Sequence, residues 1–202
     1  MARLPQNFFQ QDTVRAAQQL LGRYLVRTYR GETLICRITE TEAYIGAVDK
    51  ACHAYAGRRT SRTETLYAEP GTAYVYLIYG MYNCLNVVTE PKDVAAAVLI
   101  RGCEPLVGID TISKLRFGRN ADSLTPYQRR NFMNGPGKLC KGLSIDRSLN
   151  NLPFGSSDLY IAADFPEFGL PERPADLPFH TGRRIGIDYA EEAVDFPWRF
   201  WL

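Results

Sequence analysis

Thr72-Ala73-Tyr74-Val75-Tyr76-Leu77-Ile78-Tyr79-Gly80-Met81-Tyr82-Asn83-Cys84-Leu85-Asn86-Val87-Val88 is the stretch on which the fold turns. Aromatic and β-branched residues suit a pleated, half-buried surface, so Thr72 to Tyr79 predicts a strand, introduced by the turn pair Pro70-Gly71. Gly80 breaks the run, and Asn83 to Val88 returns as the partner strand of a hairpin. Tyr79 then falls beside Gly80 at the hairpin tip, where a large ring is exposed.

Upstream, Tyr24 to Tyr29 and Thr33 to Tyr44 read as two strands joined by a turn at Arg30-Gly31. Before them, Asp12 can cap a helix whose apolar positions Val14, Ala17 and Leu21 share one face and which stops at Gly22. Lys50 to Pro70 has no period and reads as loop with short helical pieces. Downstream, Val94 to Arg101 is a strand in which Ala95, Ala96 and Ala97 leave room beside the sheet. Leu106 to Phe117 predicts a helix ending at Gly118. Thr125-Pro126-Tyr127-Gln128 has the form of a capping box, with a helix running to about Phe132. Gly135-Pro136-Gly137 precedes a short helix containing Leu139, Cys140 and Leu143, and further strands are expected at Asp158 to Ala163 and Arg183 to Tyr189. Strands outnumber helices and several are joined by tight turns. The expectation is an α+β fold, one domain over residues 1–202, with a mixed, largely antiparallel curved sheet flanked by helices and a protruding hairpin.

Composition narrows the class. A 202-residue chain with 46% hydrophobic and 23% charged residues can bury a sizeable core without covalent staples. Its five cysteines are odd in number, widely spaced and without a C-x-x-C pair, so buried reduced thiols are expected rather than a disulfide framework or zinc knuckle. Two histidines, His53 and His180, are too few for a His-rich metal site, and no metal or cofactor is expected. No apolar run has the length of a membrane span, and Met1 to Gln6 lacks the apolar core of a signal peptide. A cytoplasmic protein of bacterial type, not secreted, is the expectation. Net charge is only +2, but residues 101–147 carry 9 basic and 4 acidic groups, whereas residues 148–202 carry 4 and 9. That asymmetry permits a one-sided contact with phosphates, and equally a solvated face with ordinary clustering.

The second strand finishes Ile38-Thr39-Glu40-Thr41-Glu42-Ala43-Tyr44. By the two-residue period, Leu34, Cys36, Ile38, Glu40, Glu42 and Tyr44 share one face, apolar at its start and carboxylate-bearing at its end. A carboxylate on a core-facing row sits where water is scarce, which raises its pKa and suits a general base. A pair of surface glutamates at a fraying strand end is the structural alternative. The tyrosines at 74, 76, 79 and 82 are consistent with packing beside a sheet, or, for Tyr79, with a wedge between base pairs.

In order along the chain, Ile38 to Tyr44, His53, Pro70 to Tyr76, Tyr79-Gly80-Met81-Tyr82, Asn83 to Val87, Leu99-Ile100-Arg101-Gly102-Cys103-Glu104-Pro105-Leu106 and Gly135 to Cys140 resemble the alkyladenine (3-methyladenine) DNA glycosylases. The resemblance runs from about residue 10 to 200, and E-T-E-A-Y followed by Y-V-Y-x-x-Y-G-M is its most specific part. It implies a monofunctional DNA N-glycosylase that flips alkylated or deaminated purines out of duplex DNA and hydrolyses the N-glycosidic bond, leaving an abasic site. Glu42 would activate water, with Arg101 positioning it. Tyr44, His53 and Tyr76 would hold the flipped base, Asn86 would discriminate at the pocket floor, and Tyr79 would fill the gap in the duplex. Arg58, Arg62 and Lys138 would contact phosphates. Ser61 stands where the family has proline, and Arg59 lengthens that stretch, which bears on phosphate contacts rather than on the pocket.

This allocation is physically coherent. Extracting a base costs roughly a few kcal/mol, less for a damaged pair. Aromatic faces attract a cationic alkylpurine by about 0.5–2 kcal/mol. No lysine apart from Lys50 lies near the motif residues carrying the chemistry, so a Schiff-base lyase step is not expected. The resemblance implies as partner duplex DNA carrying a damaged purine, met at the nucleoid by a monomer and with no membrane. Two other readings fit parts of the pattern: a DNA-binding module of the same fold without chemistry, and a hydrolase of free nucleosides. The first gives no use to Glu42 with Arg101, and the second gives none to Tyr79 or the basic middle segment.

Overall fold

The computed structural model describes residues 1–202. Asp12 caps α1 (Thr13–Leu20), its carboxylate accepting from the Arg15 N–H at 2.8 Å, a contact worth about 1 kcal/mol. Gly22, in the left-handed region, then turns the chain into β1 (Tyr24–Tyr29). Arg30 and Gly31 both take positive φ, which gives the tight hairpin into β2 (Glu32–Ile45). The long loop that follows contains only short 3-10 turns at Tyr55–Gly57 and Glu64–Tyr67. β3 (Ala73–Ile78) and β4 (Tyr82–Val88) form the expected hairpin, with Tyr79 (φ 53°) and Gly80 (φ 69°) at its tip.

β5 (Ala96–Val107) corrects two expectations: the strand starts at Ala96 rather than Val94, and it runs on through Val107, where the sequence suggested helix. Pairing of Cys103 to Val107 with Ile35 to Ile38 of β2 outweighs local helix propensity there. Helix α2 (Ile109–Phe117) begins only after Gly108, whose left-handed backbone lies so close to Leu34 that a Cβ would sit 2.3 Å from its side chain. α3 (Pro126–Arg130) carries the capping box between Thr125 and Gln128, and ends two residues before Phe132. α4 (Pro136–Gly142) starts at the Gly-Pro-Gly sequence. β6 (Leu159–Ala162) is present as expected. Arg183 to Tyr189 is not a strand; the last two strands are β7 (His180–Gly182) and β8 (Arg199–Trp201). The Arg184 side chain turns inward to a buried ion pair with Asp49, and Gly186 takes a positive φ, which interrupts an extended run.

The sheet has eight strands in the order β3-β4-β5-β2-β1-β6, with β8 pairing both β2 and β7, and every named pairing is antiparallel. With its few flanking helices it is an α+β fold. The main core lies between one face of the sheet and α1, α2 and α4, and includes Leu20, Leu34, Ile38, Ile100 and Ile112, all fully buried. Each such side chain contributes about 1.5–3 kcal/mol. On the opposite face a smaller cluster of Cys52, Leu66, Tyr74 and Ala97 packs beneath the 50–70 loop, with Tyr44 and Tyr76 against it. All five cysteines are buried free thiols.

The single alternating face proposed for β2 does not exist. Leu34, Cys36 and Ile38 enter the main core, but so does Ala43, while the buried Thr41 donates from Oγ1 to the Ala17 carbonyl of α1 at 2.8 Å. Parity therefore switches between Ile38 and Thr41. The register shows why: Ile38 faces Cys103, Glu40 faces Gly102 and Thr41 faces Ile100, so Thr39 is an extra residue in β2 and Arg101 an extra residue in β5. Such irregularities re-aim side chains. Here they bring Glu40, Glu42 and Arg101 together on the face away from the helices. Gly102 permits the close approach, since a Cβ there would lie 3.1 Å from Glu40 Cβ and 3.2 Å from Thr39 Oγ1.

Candidate active site

Glu42 is fully buried. Its Oε2 accepts the Tyr44 hydroxyl at 2.7 Å, its Oε1 accepts the Ile185 N–H at 2.8 Å, and the Arg101 Nε lies 3.4 Å from Oε1. Burial pushes the carboxyl above the usual carboxylate range, against the opposing pull of Arg101, Tyr44 and the Ile185 N–H. Burial, and then the neighbouring Glu42 carboxylate, drive the Tyr44 hydroxyl well above its ordinary value, so that it donates rather than ionises.

Tyr44, Arg101 and Ile185 are also walls of a cavity of about 390 Å³, completed by residues that include His53, Tyr76 and Tyr79. Glu42 sits immediately behind these walls rather than among the lining residues. His53 meets Tyr76 edge-on at 4.6 Å between ring centroids, and its Nδ1 lies 2.9 Å from the Tyr74 hydroxyl. Burial first, and Arg62 second, lower its pKa to about 4, which leaves a neutral imidazole at neutral pH. Tyr79 is 77% exposed at the mouth. Tyr189, Met81, Ile185 and Tyr82 are exposed beside or near it, so the rim presents more apolar surface than a solvated loop requires.

The other expected residues lie further out. Asn86 is buried one layer deeper, donating from Nδ2 to the Tyr74 carbonyl at 3.0 Å, and borders a separate space of about 30 Å³ together with Tyr44, His53 and Tyr76. Arg58 and Arg62 are exposed and line a depression that adjoins the cavity through His53 and Tyr189. Arg62 also lies over Tyr76, 5.6 Å from the ring centroid. Lys138 lines the cavity itself, and its Nζ donates to Asn131 and Asn134 at 2.9 and 2.8 Å. No three metal-binding side chains gather where they could hold an ion.

Sequence reading missed the segment that closes the site. Arg184, fully buried, places two nitrogens on Asp49 at 2.5 and 2.8 Å and its guanidinium 4.6 Å from the Tyr44 ring centroid. Ile185, Gly186, Ile187 and Tyr189 follow it as one wall of the cavity. Gly186 (φ 77°) is the one local signal that this stretch turns rather than extends. Arg199, which reaches the site through β8, was likewise absent from the expectation; Glu40 was expected on the face of Glu42, but its contacts with Arg101 and Arg199 were not.

Residues 7–202 match the profile of the family described as Methylpurine-DNA glycosylase (MPG). A protein of Clostridium perfringens (strain SM101 / Type A) is 54% identical over 201 residues, covering 99% of this chain and 95% of its own length. One of Clostridioides difficile (strain 630) is 46% identical, covering 98% of this chain and all of its own, and one of Desulfitobacterium hafniense (strain Y51) is 45% identical, covering 100% and 96%. Each of the three is named "Putative 3-methyladenine DNA glycosylase".

Proposed function

The chain belongs to the methylpurine-DNA glycosylase family, and on that premise we propose that it draws alkylated or deaminated purines from duplex DNA into the cavity beside Glu42 and releases them by hydrolysis. As an enzyme it is a monofunctional DNA N-glycosylase acting on alkylation damage, not a binding module without chemistry. The finer reading rests on one observation above all: a desolvated carboxylate immediately behind an aromatic cavity whose mouth carries an exposed tyrosine.

A cavity of about 390 Å³ is in the lower range of small-molecule sites and accommodates one base. Tyr76, His53 and Tyr44 supply ring faces and edges that favour a flat, electron-poor purine. A neutral His53, with Nδ1 engaged by Tyr74, adds no positive charge to repel a cationic alkylpurine. Asn86, tied to the Tyr74 carbonyl, contributes to discrimination from behind the ring layer. Tyr79 enters the duplex where the base has left, offsetting part of the unstacking cost.

A carboxylate offers about four acceptor positions. Ile185, Tyr44 and, more distantly, Arg101 account for three on Glu42, leaving one on Oε2 for a water. That water attacks C1′ of the sugar, Glu42 takes its proton, and the bond to the purine nitrogen breaks with its electron pair going to the base. The sugar passes through an oxocarbenium-like state, as in glycoside hydrolysis. A cationic alkylpurine leaves as the neutral base, a deaminated one takes up the proton that Glu42 removed from water, and the other product is an abasic site, with water the only co-substrate. Arg58 and Arg62 contact the backbone beside the cavity, Lys138 does so from its wall, and none of them reads sequence. We take the acting form to be a cytoplasmic monomer, one domain over residues 1–202. No helix is long and apolar enough to cross a membrane.

Base release from one hypoxanthine or ethenoadenine presented in duplex, in single strand and as free nucleoside tests this directly. Release from the duplex above the other two is expected. Equal release from the free nucleoside would replace this reading with that of a nucleoside hydrolase.

A further inference from the structure

Arg101 meets two carboxylates, and the shorter contact is not with the base. Its Nε lies 3.0 Å from Glu40 Oε1 and 3.4 Å from Glu42 Oε1. The same Glu40 oxygen accepts from the Arg199 Nε at 2.6 Å. These groups are mostly withdrawn from solvent, with side-chain exposures of 14% for Glu40, 12% for Arg101 and 24% for Arg199. Strand β8 delivers Arg199 by pairing it opposite Glu42, and the guanidinium rests 4.4 Å from the Trp201 ring centroid.

The arrangement answers a conflict in the chemistry. A general base needs proton affinity, yet an arginine fully paired with a carboxylate lowers its pKa by about 1–3 pH units. Removing the arginine altogether would leave water and carboxylate without an orienting donor. We propose that Glu40, anchored by Arg199, is a positioning residue that draws Arg101 partly off Glu42, keeping Glu42 basic while the guanidinium stays within reach. This rests on the reading of Glu42 as the base. The remaining titratable or charged groups facing Glu42 are Tyr44 on its own strand, Tyr76 and Cys84 from the hairpin, and Arg184 from the closing segment. They stay constant when Glu40 or Arg199 is replaced.

Two substitutions act in opposite directions. Glu40→Gln removes the competitor, so Arg101 turns wholly to Glu42 and the proton affinity of Glu42 falls. Arg199→Gln leaves Arg101 as the only cation on Glu40, so Arg101 moves away and the proton affinity of Glu42 rises. Loss of packing alone gives no such opposition, but the lost charges themselves do, since the Glu40 carboxylate also raises the proton affinity of Glu42 through space. Glu40→Asp, which keeps the charge but draws the carboxylate back from Arg101, separates the two.

The test is a carbon-detected NMR titration of glutamate carboxyls in the full chain without DNA, with Glu42 assigned by its absence in Glu42→Gln. The pH profile of single-turnover base release is recorded in parallel. The Glu42 midpoint is expected to move down by about one pH unit in Glu40→Gln and up in Arg199→Gln. Arg199→Lys brings it back toward wild type, and the acid limb of base release follows the same order. Glu40→Asp, with the charge kept, is expected to give a smaller downward shift, and a Glu40→Asp midpoint that stays at the wild-type value overturns the proposal. Midpoints that stay in place, or that move together, overturn the proposal. The titration needs no turnover, so a wild type that titrates as expected yet releases no base removes the function assigned to Glu42 and leaves the charge arrangement standing.

Discussion

Asp49→Ala leaves the guanidinium of Arg184 without its countercharge in the interior. Neither side chain has exposed surface. Asp49 accepts from two Arg184 nitrogens, and the carbonyls of Ala43 and Ala193 take the other contacts at 2.9 and 3.1 Å. The Arg184 Nε already has no partner, and Glu42, the other carboxylate acting on Arg184, is engaged by Tyr44 and the Ile185 N–H. Removing one member of a buried pair costs about 3–5 kcal/mol, most of it the uncompensated charge. Against a total stability of about 5–15 kcal/mol that is a large share. In this size range each kcal/mol lowers Tm by about 2–4 °C, so a fall of about 6–20 °C is expected in a calorimetric or circular-dichroism melt. Because Ile185 follows Arg184 and supplies the N–H on Glu42 Oε1, base release by the remaining folded protein falls as well. The double variant Asp49→Ala/Arg184→Met removes both charges and is expected to recover about half of the loss or more. A double variant as unstable as the two single losses added would refute the reasoning.

Three further outcomes follow from particular contacts. Tyr79→Ser removes an exposed ring and leaves Tm unchanged, while affinity for a lesion-bearing duplex falls, roughly 10-fold or more if the ring replaces one stacked base; unchanged affinity in a fluorescence-anisotropy titration would count against the wedge. His53 has its pKa lowered to about 4, so the unfolded chain binds a proton more readily and stability is present above pH ~6.5 and lost as pH falls toward 4. His53→Gln is expected to flatten urea midpoints measured across that window, and an unaltered slope would contradict the burial argument. Gly102→Ala puts a Cβ 3.1 Å from Glu40 Cβ, which is expected to cost about 1 kcal/mol of stability but a larger fraction of base release. Equal activity per folded molecule would show that the strand irregularity is not what aims Arg101.

Hairpins were the legible part of this fold because their turns are written locally. Arg30-Gly31 and Tyr79-Gly80 each place a glycine at positive φ between two alternating runs. Asp12 and the Thr125–Gln128 capping box announce two helix starts for the same reason. Glu42, Tyr44, His53, Tyr76, Tyr79 and Arg101 do gather around one cavity, but resemblance to a family brought them forward, and periodicity gave the wrong reason for Glu42. Extra residues at Thr39 and Arg101 reverse the parity of both strands, and neither residue type marks an irregularity. Arg183 to Tyr189 read as a strand because the buried partner of Arg184 lies 135 positions earlier, at Asp49. Val107 read as helix because its partner in β2, Ile35, is invisible to a local window, and Leu106 beside it is an extra residue that the β2 register skips. Long-range pairing and buried charge decided each of these places.

The central claim is that Glu42 activates water against the glycosidic bond of a flipped purine. Wild type and Glu42→Gln are compared on a duplex carrying one hypoxanthine or ethenoadenine and on methylated DNA, with abasic sites revealed by alkaline strand cleavage. Cleavage is expected with wild type only, only after alkali, with undiminished binding of Glu42→Gln to an abasic-site duplex. Release by Glu42→Gln at the wild-type rate would contradict it.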